Sequence, residues 1–152
     1  MNLLFHFSFN YVVVSQIFGQ RPEFIPIIAF FSIVIDLDHL PYIFKNYRAM
    51  IRYLRFGSAS RTRSHEIFGM VVISSIVFFI SFFYKNLLVL QVILLCIMLH
   101  YAIDFLMGYS RPFNPYSNQE VFLKFYSSAR QRVMIEMSLT IMAVIVFWFM
   151  VF

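Results

Sequence analysis

All four histidines and four of the seven acids of this 152-residue chain lie within or beside apolar stretches. His6 stands in LLFHFSF, and Asp36, Asp38 and His39 stand in IVIDLDHL. His65 and Glu66 open a third apolar run, and His100 and Asp104 lie in MLHYAID. An unpaired Asp at the centre of a bilayer costs roughly 2.5–3.5 kcal/mol on insertion scales, so three cost on the order of 8–10 kcal/mol. Water, partner groups or a cation must offset that. Imidazole nitrogen with carboxylate oxygen and no thiolate suits Zn²⁺ first, with Mn²⁺ or Fe²⁺ as alternatives. Apparent zinc-binding free energies of ~10–16 kcal/mol exceed the burial cost.

Spacing sharpens the reading. His100 and Asp104 are i, i+4, so one helix face presents both about one turn apart. Asp36 and His39 are i, i+3, also on one face, while Asp38 points elsewhere if the segment is helical. Spacing leaves open whether Asp36 or Asp38 is the primary ligand. An HxxxD pair occurs by chance on many helices, and a lone His near an interface more often hydrogen-bonds than ligates. A DxDH run inside an apolar stretch is less readily accidental.

The elements that must position these groups follow from composition. The chain is 61% hydrophobic, 12% charged and holds 21 Phe, with mean hydropathy +0.79. A soluble domain this short could not hide that much apolar surface, whereas lipid can cover it. The expected fold is one all-α domain over residues 1–152, a polytopic membrane bundle of about five spans. The spans are expected at roughly Leu3 to Gly19, Phe24 to Phe44, Ile67 to Tyr84, Leu87 to Met107 and Val133 to Phe152. The second is interrupted by Pro26, by the cluster from Asp36 to His39, and by Pro41. The N-terminal segment lacks a basic leader and a small-residue cleavage site and is read as a retained span. Cys96, the one cysteine, excludes an internal disulfide and a Cys-based metal knuckle and reads as packing.

Residues 45 to 63 carry Lys45, Arg48, Arg52, Arg55, Arg61 and Arg63 and no acid. Arg48, Arg52 and Arg55 at helical spacing read as a basic amphipathic helix lying on anionic headgroups. The net charge of +5 resides in such loops and sets topology; no nucleic-acid partner is expected. The positive-inside rule places both basic connections, 45–63 and about 108–132, in the cytoplasm, with the N-terminus cytoplasmic and the C-terminus outside. His6, Asp36 to His39, His65, His100 and Asp104 then all meet at one face. That deduction uses only Lys and Arg positions.

The motifs IDLDH at 35–39, RTRSHE at 61–66 and LHYAID at 99–104, after an early His6, resemble the YdjM-like family of inner-membrane, metal-dependent hydrolases. The resemblance covers about residues 3 to 117. Ile35 stands where that family has Pro, Ser60 where it has a first His, and Ser64 and Glu66 flank His65 in place of Thr and Ser. The family is similar in turn to the zinc-dependent phospholipase C superfamily. That implies a ligand order of His6, Asp36 or Asp38, His65, His100 and Asp104, with Asp104 bridging two metals. The implied activity is hydrolysis of a phosphate ester in the plasma (inner) membrane, the site's depth favouring a lipid-derived substrate. Arg61, with Arg63, would neutralise phosphate charge. Glu66, or the spare carboxylate of Asp36 and Asp38, would handle the water proton. The alternative is a catalytically impaired subunit of a larger membrane complex that keeps the metal for folding. An ion pathway is disfavoured, because the candidates gather at one face and do not line a path across.

Overall fold

The computed structural model describes residues 3–39, 44, 66–83, 86–108, 110–113, 116–117, 119, 121, 123, 126 and 128–152; the side chains of Asp38, His39 and Ala129 lie outside this description. The basic amphipathic helix expected within 45–63 falls outside the described residues. Among the described residues the α-helices with defined bounds are α1 Leu3–Phe18, α2 Ile25–Val34, α3 Ile67–Ser81, α4 Leu87–Met107 and α5 Ala129–Val151. Short 3₁₀ turns at Pro22–Phe24 and Ile35–His39 flank α2. Among the described residues the extended pairing is an isolated antiparallel bridge between Ser110 and Val121.

Local chemistry sets the boundaries. Gly19, at φ +82°, takes the left-handed conformation that ends α1. Phe24 N–H donates to the Arg21 carbonyl at 3.0 Å, and the chain turns into α2. Pro26 lies in the first turn of α2, where its missing N–H costs nothing, so it starts this helix and does not interrupt it. The interruption comes at the acidic cluster, where the backbone tightens to a 3₁₀ turn. The side chain of Asn86 caps α4 by accepting from Val89 N–H, and that of Ser128 caps α5 by accepting from Gln131 N–H, each at 3.2 Å. The Ser128 cap starts the last helix at Ala129, four residues before the expected Val133.

Helix α4 is the centre of the packing, touching α1, α2 and α3, while α5 lies along α1. Tyr11, Val14, Phe24, Ile28, Val92 and Cys96 form the largest buried cluster. Ile35, Val77, Ile97 and Tyr101 join α2, α3 and α4, and Phe5, Ile103 and Met107 pack against Ile135 and Leu139 of α5.

Among the described residues two helices are long and apolar enough to cross a membrane, Leu87–Met107 and Arg130–Val151, each with mean hydropathy 2.2. Only 6% of the second window is buried, and Met137, Ile141, Met142, Ile145 and Phe149 face outward. The core helix of a soluble protein would be covered; away from its contact with α1, this one leaves its apolar side chains exposed, as a lipid-facing helix does. The two spans support an integral membrane protein. Helices α1 and α3, of 16 and 15 residues, rise about 23–24 Å, short of the ~30 Å hydrocarbon core. Of the five spans expected from the apolar stretches, two have full spanning length among the described residues.

Ile141 lies near the middle of α5 and is 54% exposed. Ile141→Asp should cost about 2.5–3.5 kcal/mol of membrane insertion. In an alkaline-carbonate extraction, the variant should move from the membrane pellet toward the soluble or degraded fraction, and wild-type retention would contradict lipid exposure of this face.

Candidate metal centre

Three helices each turn a four-residue ladder toward their common interior. Helix α1 contributes His6, Asn10 and Val14, and α4 contributes Val92, Cys96, His100 and Asp104. Ile28 and Ser32 of α2 continue to Asp36 in the following 3₁₀ turn. The deepest rung is apolar, with Val14, Ile28 and Val92 in one cluster. Above it Asn10 Nδ2 donates to Ser32 Oγ at 3.0 Å. The next rung holds His6, Asp36 and His100, with Asp104 one turn beyond.

In this upper rung one donor atom from each of His6, Asp36 and His100 lies within 4.8 Å of the other two. His6 Nε2 is 3.3 Å from Asp104 Oδ1. His100 Nε2 is 3.4 Å from Asp36 Oδ1 and 3.7 Å from Asp104 Oδ2. The two imidazoles stack face to face, with centroids 3.9 Å apart and planes 12° apart. Both histidines are fully buried, and neither nitrogen of His6 makes a hydrogen bond of good geometry.

These separations fit a cation better than direct hydrogen bonding. Charge-assisted N–H···O bonds run at about 2.7–2.9 Å. Ligands held ~2.0–2.1 Å from a tetrahedral ion are instead ~3.3 Å apart, the edge of the tetrahedron. Metal-ligating imidazoles are neutral and ligating carboxylates ionised, so as ligands Asp36 and Asp104 would bring two negative charges, which a divalent ion cancels. The orphaned nitrogens of His6 and the oxygen–nitrogen donor set both fit such an ion. His6, Asp36 and His100, with Asp104 against both imidazoles, would hold it.

The remaining candidates are placed as follows. Glu66 is buried at the start of α3 and accepts from Ser110 Oγ at 2.5 Å, which ties the segment after α4 to the start of α3. His65, Arg61 and Arg63, and the side chains of Asp38 and His39, lie outside the described residues. An apolar cavity of about 250 Å³ between α3 and α4, lined by Tyr101, Phe105, Met70 and Ser110 among others, contains none of the donor set. Sequence reasoning passed over Asn10 and Ser32. Their signal was there: each is a polar residue in an apolar stretch, four positions from a candidate ligand. It also passed over a polar group at the same end of the bundle. Arg132 Nε donates to Glu136 Oε1 at 2.9 Å, the guanidinium lies over the Tyr126 ring, and Tyr126 Oη donates to the Met107 carbonyl at 3.1 Å.

Comparison of the chain with known protein families, with curated proteins and with solved structures finds no match in any of the three.

Elemental analysis of detergent-purified protein should find divalent metal bound. His100→Ala and Asp36→Ala should each weaken binding by more than the ~10–100-fold typical of outer-shell changes. Undiminished metal in both variants would mean that the cluster is held by hydrogen bonds alone.

Proposed function

We propose that this chain is a membrane-embedded, metal-dependent hydrolase of phosphate esters, working at the cytoplasmic membrane face. The observation that carries the reading is the donor set of buried His6 and His100 with half-buried Asp36, and Asp104 touching both imidazoles. In support stand the metal-like donor separations and the motif order shared with the YdjM-like family. On this reading residues 1–152 form one domain of five spans with a cytoplasmic N-terminus.

One or two Zn²⁺ ions are the proposed cofactor, with Asp38, His39 and His65 as further ligands. A divalent ion bound there supplies Lewis acidity and lowers the pKa of water. The chain's own groups do the rest. Asp104, with one oxygen toward each imidazole, holds the two rings in register. Glu66, shielded from bulk water and oriented by Ser110, is the proposed proton acceptor. Arg61 and Arg63 are the proposed planar donors to phosphoryl oxygens. Candidate ligands near the expected inner ends of the helices favour a lipid-derived phosphate ester presented at headgroup depth.

Metal-replete protein should cleave a phosphodiester probe or phospholipid in mixed micelles. Asp104→Ala should lose both metal and turnover. Glu66→Gln should keep the metal and lose on the order of 10²–10⁴-fold in rate. Metal-replete wild type that turns over none of these would favour an accessory subunit that keeps the metal for folding, and turnover surviving in Asp104→Ala would refute the mechanism.

A further inference from the structure

Beneath the donor set lies a polar layer that the hydrolase reading does not use. Asn10 and Ser32 are both fully buried. Each stands four residues from a metal-centre residue on its own chain segment: Asn10 after His6, Ser32 before Asp36. Their mutual hydrogen bond, 3.0 Å long, joins α1 to α2 one turn below the point where His6 and Asp36 meet His100. It uses one atom of the Asn10 amide. The other, Oδ1, has no hydrogen-bond partner. Exchanging the amide oxygen and nitrogen leaves the same outcome, one atom bonded to Ser32 and one bonded to nothing. A buried polar atom left so costs about 1–3 kcal/mol.

One turn above, His6 Nε2 stands 3.3 Å from Asp104 Oδ1 while Nδ1 has no hydrogen-bond partner. A metal-ligating imidazole nearly always gives its second nitrogen to an outer partner, which fixes its tautomer and orientation. Residues four apart on a helix are about 5–6 Å apart at Cβ. Two polar groups at that spacing are bridged by one water making two hydrogen bonds of about 2.8 Å. An amide can serve such a water as donor or acceptor.

We propose that Asn10, anchored by Ser32, holds a buried water that is the outer hydrogen-bond partner of His6, making Asn10 a positioning residue of the metal centre. This rests on the metal reading above. It separates two roles for a polar pair within a membrane bundle. A pair that merely glues helices together stabilises the fold with or without metal. A pair that orients a ligand acts on metal affinity, and its apolar replacement leaves the metal-free fold intact or firmer, since removing both partners of a buried hydrogen bond is nearly neutral.

The test is a Co²⁺ titration of the detergent-solubilised full chain, followed by visible absorption, with thermal unfolding of the metal-free protein beside it. Asn10→Leu, and Asn10→Leu with Ser32→Ala, should both bind Co²⁺ about 10–100-fold more weakly, the double variant with an unchanged or raised metal-free Tm. Asn10→Ser, which keeps a polar group and room for water, should recover most of the affinity. Wild-type affinity in both apolar variants would overturn the proposal while leaving the metal centre standing. A fall in the metal-free Tm of the double variant matching the affinity loss would overturn it in favour of a structural role. A wild-type chain that takes up no Co²⁺ would remove the metal reading and this proposal with it.

Discussion

Two carboxylates and two imidazoles crowd together at one end of an apolar helical bundle, and the rest of the molecule is arranged around the need to neutralise them. Both histidines are sealed from solvent and Asp104 is nearly so. In a medium of low dielectric the charged groups are tolerable only when opposite charge or hydrogen bonds meet them. Asp36 Oδ1 and both oxygens of Asp104 face an imidazole nitrogen at 3.3–3.7 Å, longer than charge-assisted hydrogen bonds and suited to a cation between. The same constraint places the cluster near helix ends, where charge and water are closest.

Packing and ligand geometry are carried by the same side-chain ladders. Helix α4 supplies Val92 and Cys96 to the largest apolar cluster and His100 and Asp104 to the donor set, all from one face. Any rotation of α4 that improved the core would therefore displace the ligands, and the reverse holds too. Helices α1 and α2 repeat the pattern in antiparallel sense, so the three ladders register rung by rung: apolar at the bottom, amide and hydroxyl in the middle, imidazole and carboxylate at the top. Other polar contacts join at that end. Glu66 with Ser110, and Arg132 with Glu136 and Tyr126, tie the segment after α4 to the starts of α3 and α5. Outward, α5 exposes a largely apolar surface and takes no part in the donor set.

Much of this was legible in the residues. The apolar stretches marked every helix described, because a chain this rich in Phe and poor in charge has helices as its way of satisfying backbone groups in lipid. His100 and Asp104 announced a shared face through their spacing alone. Pro26 misled: an apolar run broken by proline reads as an interruption, yet a first-turn proline is a helix start, and only the position of the preceding 3₁₀ turn tells the two apart. Helix length was equally ambiguous, since apolar residues continue past Val34 while the backbone tightens to 3₁₀.

The sequence by itself determined that the chain is helical, apolar enough for lipid, and burdened with His and Asp where lipid would not tolerate them bare. Those are properties of composition and of period along one helix, and they need no neighbour. Tertiary structure alone decided that Asp36 is an aspartate that meets His100, that His6 stacks on that same imidazole, and that Asn10 bonds Ser32 beneath them. Each of these depends on the rotation and axial register of one helix against another. That register is set by how Tyr11, Val14, Ile28, Val92 and Cys96 fill space together, a many-body packing condition that no spacing within a single segment encodes.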